Sequence, residues 1–105
     1  MNAAPLFKAL GDPYRLELIE RLSDSSPLTI TQLIQGFPAT RQGMRRHLQV
    51  LEEAEIIVLE PHGRDVRVRL NPESIEVGQS YLAAISQRWD AKLQALKAFV
   101  ESTEE

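Results

Sequence analysis

The sequence contains no cysteine, which excludes disulfide bonds, thiolate metal sites and thiol-based redox sensing within its 105 residues. Histidine is scarce as well, since His47 and His62 are the only two. Neither histidine has soft or imidazole partners at the spacing that a transition-metal site needs. We therefore expect no metal site and no cofactor.

A long apolar run, a leader-like N-terminus and a catalytic set of residues are also missing. No segment reaches the roughly 18 consecutive apolar residues of a membrane span, so we expect no membrane contact. Residues 1–12 hold one lysine and no long apolar stretch, which predicts a cytoplasmic chain without a secretory signal. The sequence offers no nucleophile–histidine–acid set and no glycine-rich phosphate loop, so we expect no enzymatic activity.

The sequence also lacks an excess of positive charge. The formal net charge is -3 at pH 7, whereas most nucleic-acid-binding domains are basic. The charges are unevenly spread, because residues 71–105 carry six acids and three bases while residues 1–70 carry nine of each. A local basic face on an otherwise acidic chain suits selective, salt-sensitive binding of an anionic partner.

The most informative segment is TRQGMRRHLQVL, at residues 40–51. Read as a helix, it has an apolar face at spacings of three and four, made by Met44, His47, Leu48 and Leu51. The opposite face holds guanidinium and amide groups, from Arg41, Gln42, Arg45, Arg46 and Gln49. Arginine matches guanine or a phosphate and glutamine matches adenine, so this face is a candidate for reading DNA. Taken alone, it also fits the solvated face of an ordinary amphipathic helix.

The flanking residues favour the DNA-binding interpretation. Residues 29–32 form a T-x-x-Q capping box that opens a short helix, and Gly36 stops that helix. Thr40 caps the next helix after a turn of about four residues, and helices so joined over residues 29–54 are typical of a helix-turn-helix unit. Upstream we expect a helix over residues 3–10, a second helix that begins at Asp12–Pro13, and a loop over residues 23–27.

A β-hairpin is predicted after the helix-turn-helix unit. Residues 56–60 and 66–70 read as two strands, joined by the turn-forming sequence PHGRD. In the second strand Val66, Val68 and Leu70 alternate with Arg67 and Arg69, so one face is apolar and the other is basic. A hairpin of this kind beside a helix-turn-helix unit is a wing, here over residues 56–70.

A long helix is predicted over residues 74–101, with apolar residues recurring at threes, fours and sevens. This stripe is too long for so small a domain to cover, and we expect it to form a homodimer interface together with the first helix, within residues 1–11. The expected interface residues are Leu6, Phe7, Leu10, Leu82, Ile85, Trp89, Leu93 and Leu96. The alternative is a helix that folds back on its own core.

Three segments together resemble the ArsR-type, or SmtB-like, family of winged-helix repressors. They are FKALGDPYRLELIERL at residues 7–22, RRHLQVLEEAEIIV at residues 45–58 and GRDVRVRLNPES at residues 63–74. The C-terminal part, with Trp89, Leu93 and Leu96, is similar to autorepressor-type members that lack metal ligands. The resemblance implies one domain over residues 1–105, mainly α-helical with a β-hairpin wing and a long C-terminal dimerisation helix. It also implies a homodimeric repressor whose fourth helix lies in the DNA major groove and whose inducer lowers DNA affinity.

The chain departs from the family pattern at two positions. Glu55 stands where the family usually has a glycine, which costs about 1 kcal/mol if this residue is left-handed. Arg45 stands where small hydroxyl residues are frequent, which suggests a contact to guanine or phosphate. His47 matches the family's usual histidine, for which we expect a structural role. Gly43 inside the same helix either allows close approach to the DNA backbone or has no role.

These observations predict a sequence-specific, dimeric repressor that binds a roughly palindromic operator in double-stranded DNA. Arg41, Gln42, Arg45 and Arg46 are expected to read bases. Contacts to the DNA phosphates are expected from Thr40, Gln49, Arg64, Arg67 and Arg69. The competing interpretation is a winged-helix protein-interaction module whose long helix binds a partner and whose basic face is incidental. The sequence identifies no effector.

Overall fold

The computed structural model describes residues 2–103, so residues 1, 104 and 105 of the predicted domain lie outside it. Over the described range the elements are α1 (Ala4–Leu10), α2 (Pro13–Asp24), β1 (Leu28–Thr29), α3 (Ile30–Leu33), α4 (Arg41–Glu53), β2 (Ile57–His62), β3 (Asp65–Leu70) and α5 (Pro72–Thr103). The predicted fold class is confirmed: the chain is mainly α-helical, with a β-hairpin wing and a long C-terminal helix.

Helix α2 begins where the sequence predicts and ends later. The Asp12 side chain accepts hydrogen bonds from the backbone N–H groups of Tyr14 and Arg15, and Pro13 occupies the first helical position. The helix continues to Asp24, so the prediction of a loop over residues 23–27 is wrong for its first two residues. The Ser23 hydroxyl donates to the carbonyl of Ile19, which lets a polar residue sit in the last turn.

The helix-turn-helix unit depends on a side chain that the sequence pattern does not single out. The Arg21 guanidinium, on α2, donates to the carbonyls of Leu33 at 2.9 Å and Gln35 at 2.6 Å. Its carbon lies 4.2 Å from the centre of the Phe37 ring. One carbonyl belongs to the last residue of α3 and the other lies two residues beyond it, where a cation is favourable, so Arg21 fixes the turn that leads into α4.

The core lies between the helices and the inner face of the sheet. Helix α4 contributes a narrow stripe, Met44, Leu48 and Leu51, each at most 2% exposed. The predicted apolar face is therefore confirmed for these three residues, whereas His47 is only partly buried. The rest of the core comes from α1, α2, α3, β2, β3 and the connecting segments: Leu6, Ala9, Leu18, Leu22, Ile30, Leu33, Phe37, Ile56, Ile57 and Val68.

Helix α4 ends in a hydrogen-bonding pattern that normally requires glycine. The N–H of Glu55 bonds to the carbonyl of Glu52 and the N–H of Ile56 to the carbonyl of Leu51, which is a Schellman motif. Glu55 has a φ of 61°, so the condition of a left-handed residue at the family's glycine position is met. The Glu55 carbonyl accepts from Asn71 Nδ2 and from the Ser74 hydroxyl, which joins this turn to the start of α5.

The wing is a three-stranded antiparallel sheet in the order β1-β3-β2. The hairpin is longer than predicted, because β2 and β3 extend to His62 and Asp65 and leave a turn of Gly63 and Arg64. Gly63 adopts a φ of 62°, which suits a two-residue hairpin turn. The third strand, β1, pairs Leu28 with Val68 and was not predicted.

Helix α5 packs on the domain only at its N-terminal end. A Cβ added at Gly78 would lie 2.8 Å from Leu6 Cδ2, so this glycine allows α1 and α5 to cross closely. Residues 79–102 are exposed throughout, and the protomer measures 73 × 27 × 22 Å. The helix therefore does not fold back on its own core. No helix within residues 2–103 is both long and apolar enough to cross a membrane.

Replacing Glu55 by glycine should stabilise the protein by about 1 kcal/mol, because relief of the left-handed strain exceeds the extra freedom of the unfolded chain. The measurement is the urea midpoint at neutral pH. Glu52→Gly is the matched control, since it places glycine inside the exposed side of α4 and should cost about 1 kcal/mol. A midpoint that Glu55→Gly leaves unchanged or lowers would contradict the strain argument.

Candidate nucleic-acid interface

The exposed side of α4 divides into an outer face and a flank. At about 100° per residue, Gln42, Arg46 and Gln49 lie roughly opposite the buried stripe, whereas Arg41 and Arg45 lie to one side. All five side chains are exposed. Gln49 donates to Glu53 Oε1 at 3.2 Å, so one of the predicted DNA-binding amides already has a partner. The outer face projects furthest from the core and is free to enter a groove.

Thr40 and Gly43 form the start of α4 together. The Thr40 hydroxyl oxygen accepts from the Gly43 N–H at 3.0 Å, which leaves its O–H available for a phosphate. A Cβ at position 43 would lie 3.1 Å from that oxygen. Gly43 therefore leaves room for the capping hydroxyl of Thr40, which is neither of the two roles expected for it from the sequence.

The flank of α4 faces a small crevice, which we call the arginine crevice. It has a volume of about 80 Å³ and lies between α3, α4 and the wing turn. Its lining residues are Thr29, Ile30, Thr31, Arg41, Arg45, Arg64, Asp65 and Val66. Arg41 Nη1 donates to the Thr31 hydroxyl at 3.3 Å, which directs this side chain toward α3. Three of the predicted DNA-binding arginines thus meet at one place.

The other two wing arginines lie elsewhere. Arg67 and Arg69 alternate with the buried Val68, so they occupy the sheet face turned away from the core. Arg69 Nε donates to Glu60 Oε1 at 2.8 Å, and this ion pair is about half exposed on both sides. The structure therefore does not bring Arg67 and Arg69 together with the arginines of the crevice.

A second polar cluster attaches α4 to the N-terminal helices. Arg15 donates through Nη1 to His47 Nδ1 at 3.1 Å, and through Nε to the carbonyl of Ala9 at the end of α1. The ring of Tyr14 meets the ring of His47 edge-on at 5.8 Å. Because arginine only donates, Nδ1 of His47 is the acceptor in this geometry. His47 thus holds α4 against α2 and α1, and Arg15 bonds to a carbonyl and an imidazole.

Asp12 completes this cluster, with Oδ1 3.9 Å from His47 Nδ1. Burial raises the pKa of the Asp12 carboxyl, but burial is outweighed by the backbone N–H groups of Arg15 and Tyr14, by the positive charge that His47 carries when it is protonated, and by the charge of Arg15. The pKa therefore lies below its ordinary value of 3.8. Across residues 2–103, no three histidine, aspartate or glutamate side chains are grouped so that they could hold a metal ion.

The residues expected at a dimer interface lie in two different environments. On α5, Leu82, Trp89, Leu93 and Leu96 are each more than half exposed, and Ile85 is 36% exposed. On α1, Phe7 and Leu10 are partly buried, and the Phe7 ring lies 5.5 Å from the ring of Tyr81. Leu6 belongs to the protomer's own core, because only 5% of its surface is exposed and little remains for a partner. Tyr81 and Phe99 are exposed aromatic residues of the same helix that the prediction left out.

Comparison with known families gives a match over the DNA-facing part of the chain. Residues 10–60 match a family model described as a helix-turn-helix domain. This range runs from the end of α1 into β2, and it contains both helices of the turn.

Individual relatives are transcriptional regulators by name. The chain is 33% identical to the uncharacterized HTH-type transcriptional regulator YuzN of Bacillus subtilis, covering 60% of this chain and 75% of that protein. It is 30% identical to the uncharacterized HTH-type transcriptional regulator MJ1325 of Methanocaldococcus jannaschii, covering 59% and 70%. The solved structure of an ArsR-like transcriptional regulator from Rhodococcus sp. RHA1 superposes with a TM-score of 0.77 at 27% identity, covering 92% of this chain and 91% of that chain.

Asp12→Asn should remove a charge without removing the cap, since asparagine caps a helix as well as aspartate. The wild type should be more stable than the variant above pH 3.8, the ordinary pKa of the carboxyl. That advantage should disappear as the pH falls through the lowered pKa of Asp12, because the wild-type carboxyl then becomes neutral as well.

Urea midpoints between pH 7 and pH 2.5 would measure this advantage, with a pH series of Asp12→Ala as the control. The alanine variant should lose the cap as well, at a cost of about 1 kcal/mol that persists at every pH. A difference between wild type and Asp12→Asn that stays constant with pH would rule out the charge as its cause.

Proposed function

This chain belongs to the ArsR-type family of winged helix-turn-helix transcriptional regulators, and on that premise we propose that it is a homodimeric repressor of a roughly palindromic operator. As a member of that family it is a DNA-binding transcriptional regulator. The observation that carries the proposal is the outer face of α4, where Gln42, Arg46 and Gln49 project from the core beside the exposed Arg45. Arginine and glutamine are the side chains that pair with guanine and adenine in the major groove.

The absence of acidic partners supports the assignment of this surface to DNA. Among the residues that the structure describes, the ion pairs join Arg21 to Glu17, His47 to Asp12 and Arg69 to Glu60. The arginines of α4 take part in none of them. Because no ion pair within residues 2–103 neutralises these guanidiniums, they are available to neutralise phosphates or to bind base edges.

The homodimer is proposed from the exposed stripe of α5. Helix α5 is about 48 Å long, and an apolar stripe along its outer part has no cover within the protomer. A two-fold dimer buries the same stripe from both copies and needs no other partner. Two α4 helices related by the two-fold axis would then meet successive major grooves about 34–36 Å apart. This spacing is the reason for proposing a palindromic operator.

The second candidate function is a winged-helix protein-interaction module, favoured by the same α5 stripe. In that case α5 binds another protein and the arginines of α4 have no ligand. Retention on heparin at low salt, followed by competition with duplex DNA, separates the two functions. Release by duplex DNA supports the regulator, and indifference to duplex DNA supports the interaction module.

Arg45→Ala should weaken operator binding by about 1–3 kcal/mol, as the loss of a bidentate contact to a base does. The measurement is a fluorescence-anisotropy titration of duplex DNA from the region upstream of the protein's own coding sequence, against a scrambled duplex, at two salt concentrations. Arg88→Ala is the control, because it removes the same charge from the exposed surface of α5. If the Arg45 variant binds the operator with full affinity, Arg45 does not contact a base.

Trp89→Glu should convert the dimer to a monomer at micromolar concentration, because it places a charge in the stripe. The side chain is 62% exposed in the protomer, so its replacement costs the protomer little packing. Sedimentation velocity measures the change, and Gln94→Glu on the opposite side of α5 should remain dimeric. A wild type that sediments as a monomer at high concentration would refute the homodimer.

A further inference from the structure

The arginine crevice concentrates positive charge where the wing turn approaches α4, which is the recognition helix of the proposed function. Arg41 and Arg45 come from α4 and Arg64 from the turn between β2 and β3. Asp65 is the single acidic side chain in the lining, so the crevice carries an excess of two positive charges at neutral pH. Like charges brought together in this way repel each other unless an anion lies between them.

No carboxylate of the described chain neutralises these guanidiniums. The ion pairs within residues 2–103 involve Arg21, His47 and Arg69, and Asp65 is in none of them. Arg41 donates a hydrogen bond to the hydroxyl of Thr31, which is neutral and removes no charge. The crevice therefore keeps a net positive charge that no ion pair within residues 2–103 removes.

The size and chemistry of the crevice limit the anion that it can hold. A volume of about 80 Å³ leaves room for a small group such as an oxyanion beside the guanidinium groups. Guanidinium groups bind oxyanions through parallel N–H donors, and arginine is common wherever phosphate is recognised. The Thr31 hydroxyl accepts from Arg41 and keeps its own O–H as a further donor.

We propose that the arginine crevice holds one phosphate of the DNA backbone, clamped between Arg41 of α4 and Arg64 of the wing turn. This inference rests on the proposed function, and it deepens it by naming the group that the crevice binds. Arg41 is then a residue that positions the DNA backbone and does not read a base. Because both elements hold the same phosphate, the clamp fixes the wing relative to the recognition helix on the DNA. Arg45, at the edge of the crevice, adds positive potential and remains free to contact a base.

The first test uses the free protein and inorganic sulfate, an oxyanion of the same shape as the phosphate group. Sulfate is titrated against chloride at constant ionic strength while the arginine Nε–Hε signals are followed by NMR. Arg41 and Arg64 should shift together on one saturating curve, and Arg46 and Arg67 should not. Arg64→Ala should abolish the response of Arg41. A weak, unsaturated response that is the same for every arginine would overturn the clamp.

The second test uses duplex DNA and the salt dependence of binding. If Arg41 and Arg64 neutralise the same phosphate, the double variant Arg41→Ala/Arg64→Ala should lower the slope of log K against log salt by about 0.9 in total. Two independent phosphate contacts would lower it by about 1.8. Arg41→Ala/Arg67→Ala is the matched control, because Arg67 lies on the other face of the sheet and its effect should add to that of Arg41.

The two tests separate failure of the clamp from failure of the proposed function. Duplex binding with additive slopes for Arg41 and Arg64 would overturn the shared phosphate and leave the repressor intact. Saturable sulfate binding without any duplex binding at low salt would overturn both, since the crevice would then serve a free anion. Coupled slopes together with saturable sulfate binding support the clamp. Thermal melting of each variant checks that these exposed substitutions leave the fold intact.

Discussion

The contact between Arg21 and the end of α3 is the interaction on which the DNA-facing surface depends. Helix α3 is a single turn of four residues, and so short a helix is not stable through its own hydrogen bonds. The capping box of Thr29 and Gln32 holds its beginning, and Arg21 binds the carbonyl of Leu33 at its end and that of Gln35 just beyond it. Since α4 begins a few residues later, the direction of the recognition helix follows from a guanidinium that lies on α2.

Two arginines of α2, Arg15 near its beginning and Arg21 near its end, position the recognition helix, and the outer face of that helix stays exposed. Arg15 binds His47 in the middle of α4, and only Met44, Leu48 and Leu51 of that helix are fully buried. A wider apolar stripe would anchor α4 more firmly, but it would use positions that a DNA-reading surface needs. Two polar contacts from α2 supply the anchoring that the narrow stripe cannot. Arg15 also bonds to Ala9 in α1, so one side chain connects the first helix to the recognition helix.

Much of the fold could be predicted because its boundaries are set by local chemistry. Asp12–Pro13, the capping box and the alternation from Val66 to Leu70 each act within a few residues, and each appears where the sequence indicates. Helix α3 ends at Leu33, before the predicted stop at Gly36. Pairing of β1 with β3, the contacts of Arg21 and the bond from Arg15 to His47 join residues distant in the chain. A single sequence gives no signal for such contacts, because an arginine with a distant partner looks like any surface arginine. The candidate surface was predictable as a list of residues, but its division into an outer face, a crevice and a separate sheet face was not.

The acidic composition is compatible with DNA binding because the acidic side chains pair with some arginines and leave others without an ion pair in the described chain. Glu60 neutralises Arg69 on the outer face of the sheet, and Glu17 pairs with Arg21 behind the turn. The arginines of α4 and of the wing turn lack such partners within the described chain, and three of them surround one crevice. Acids outside this surface repel DNA from the rest of the molecule and weaken binding in any other orientation. A uniformly basic chain would gain affinity for every sequence, whereas a small unpaired cluster makes affinity depend on one orientation on the duplex.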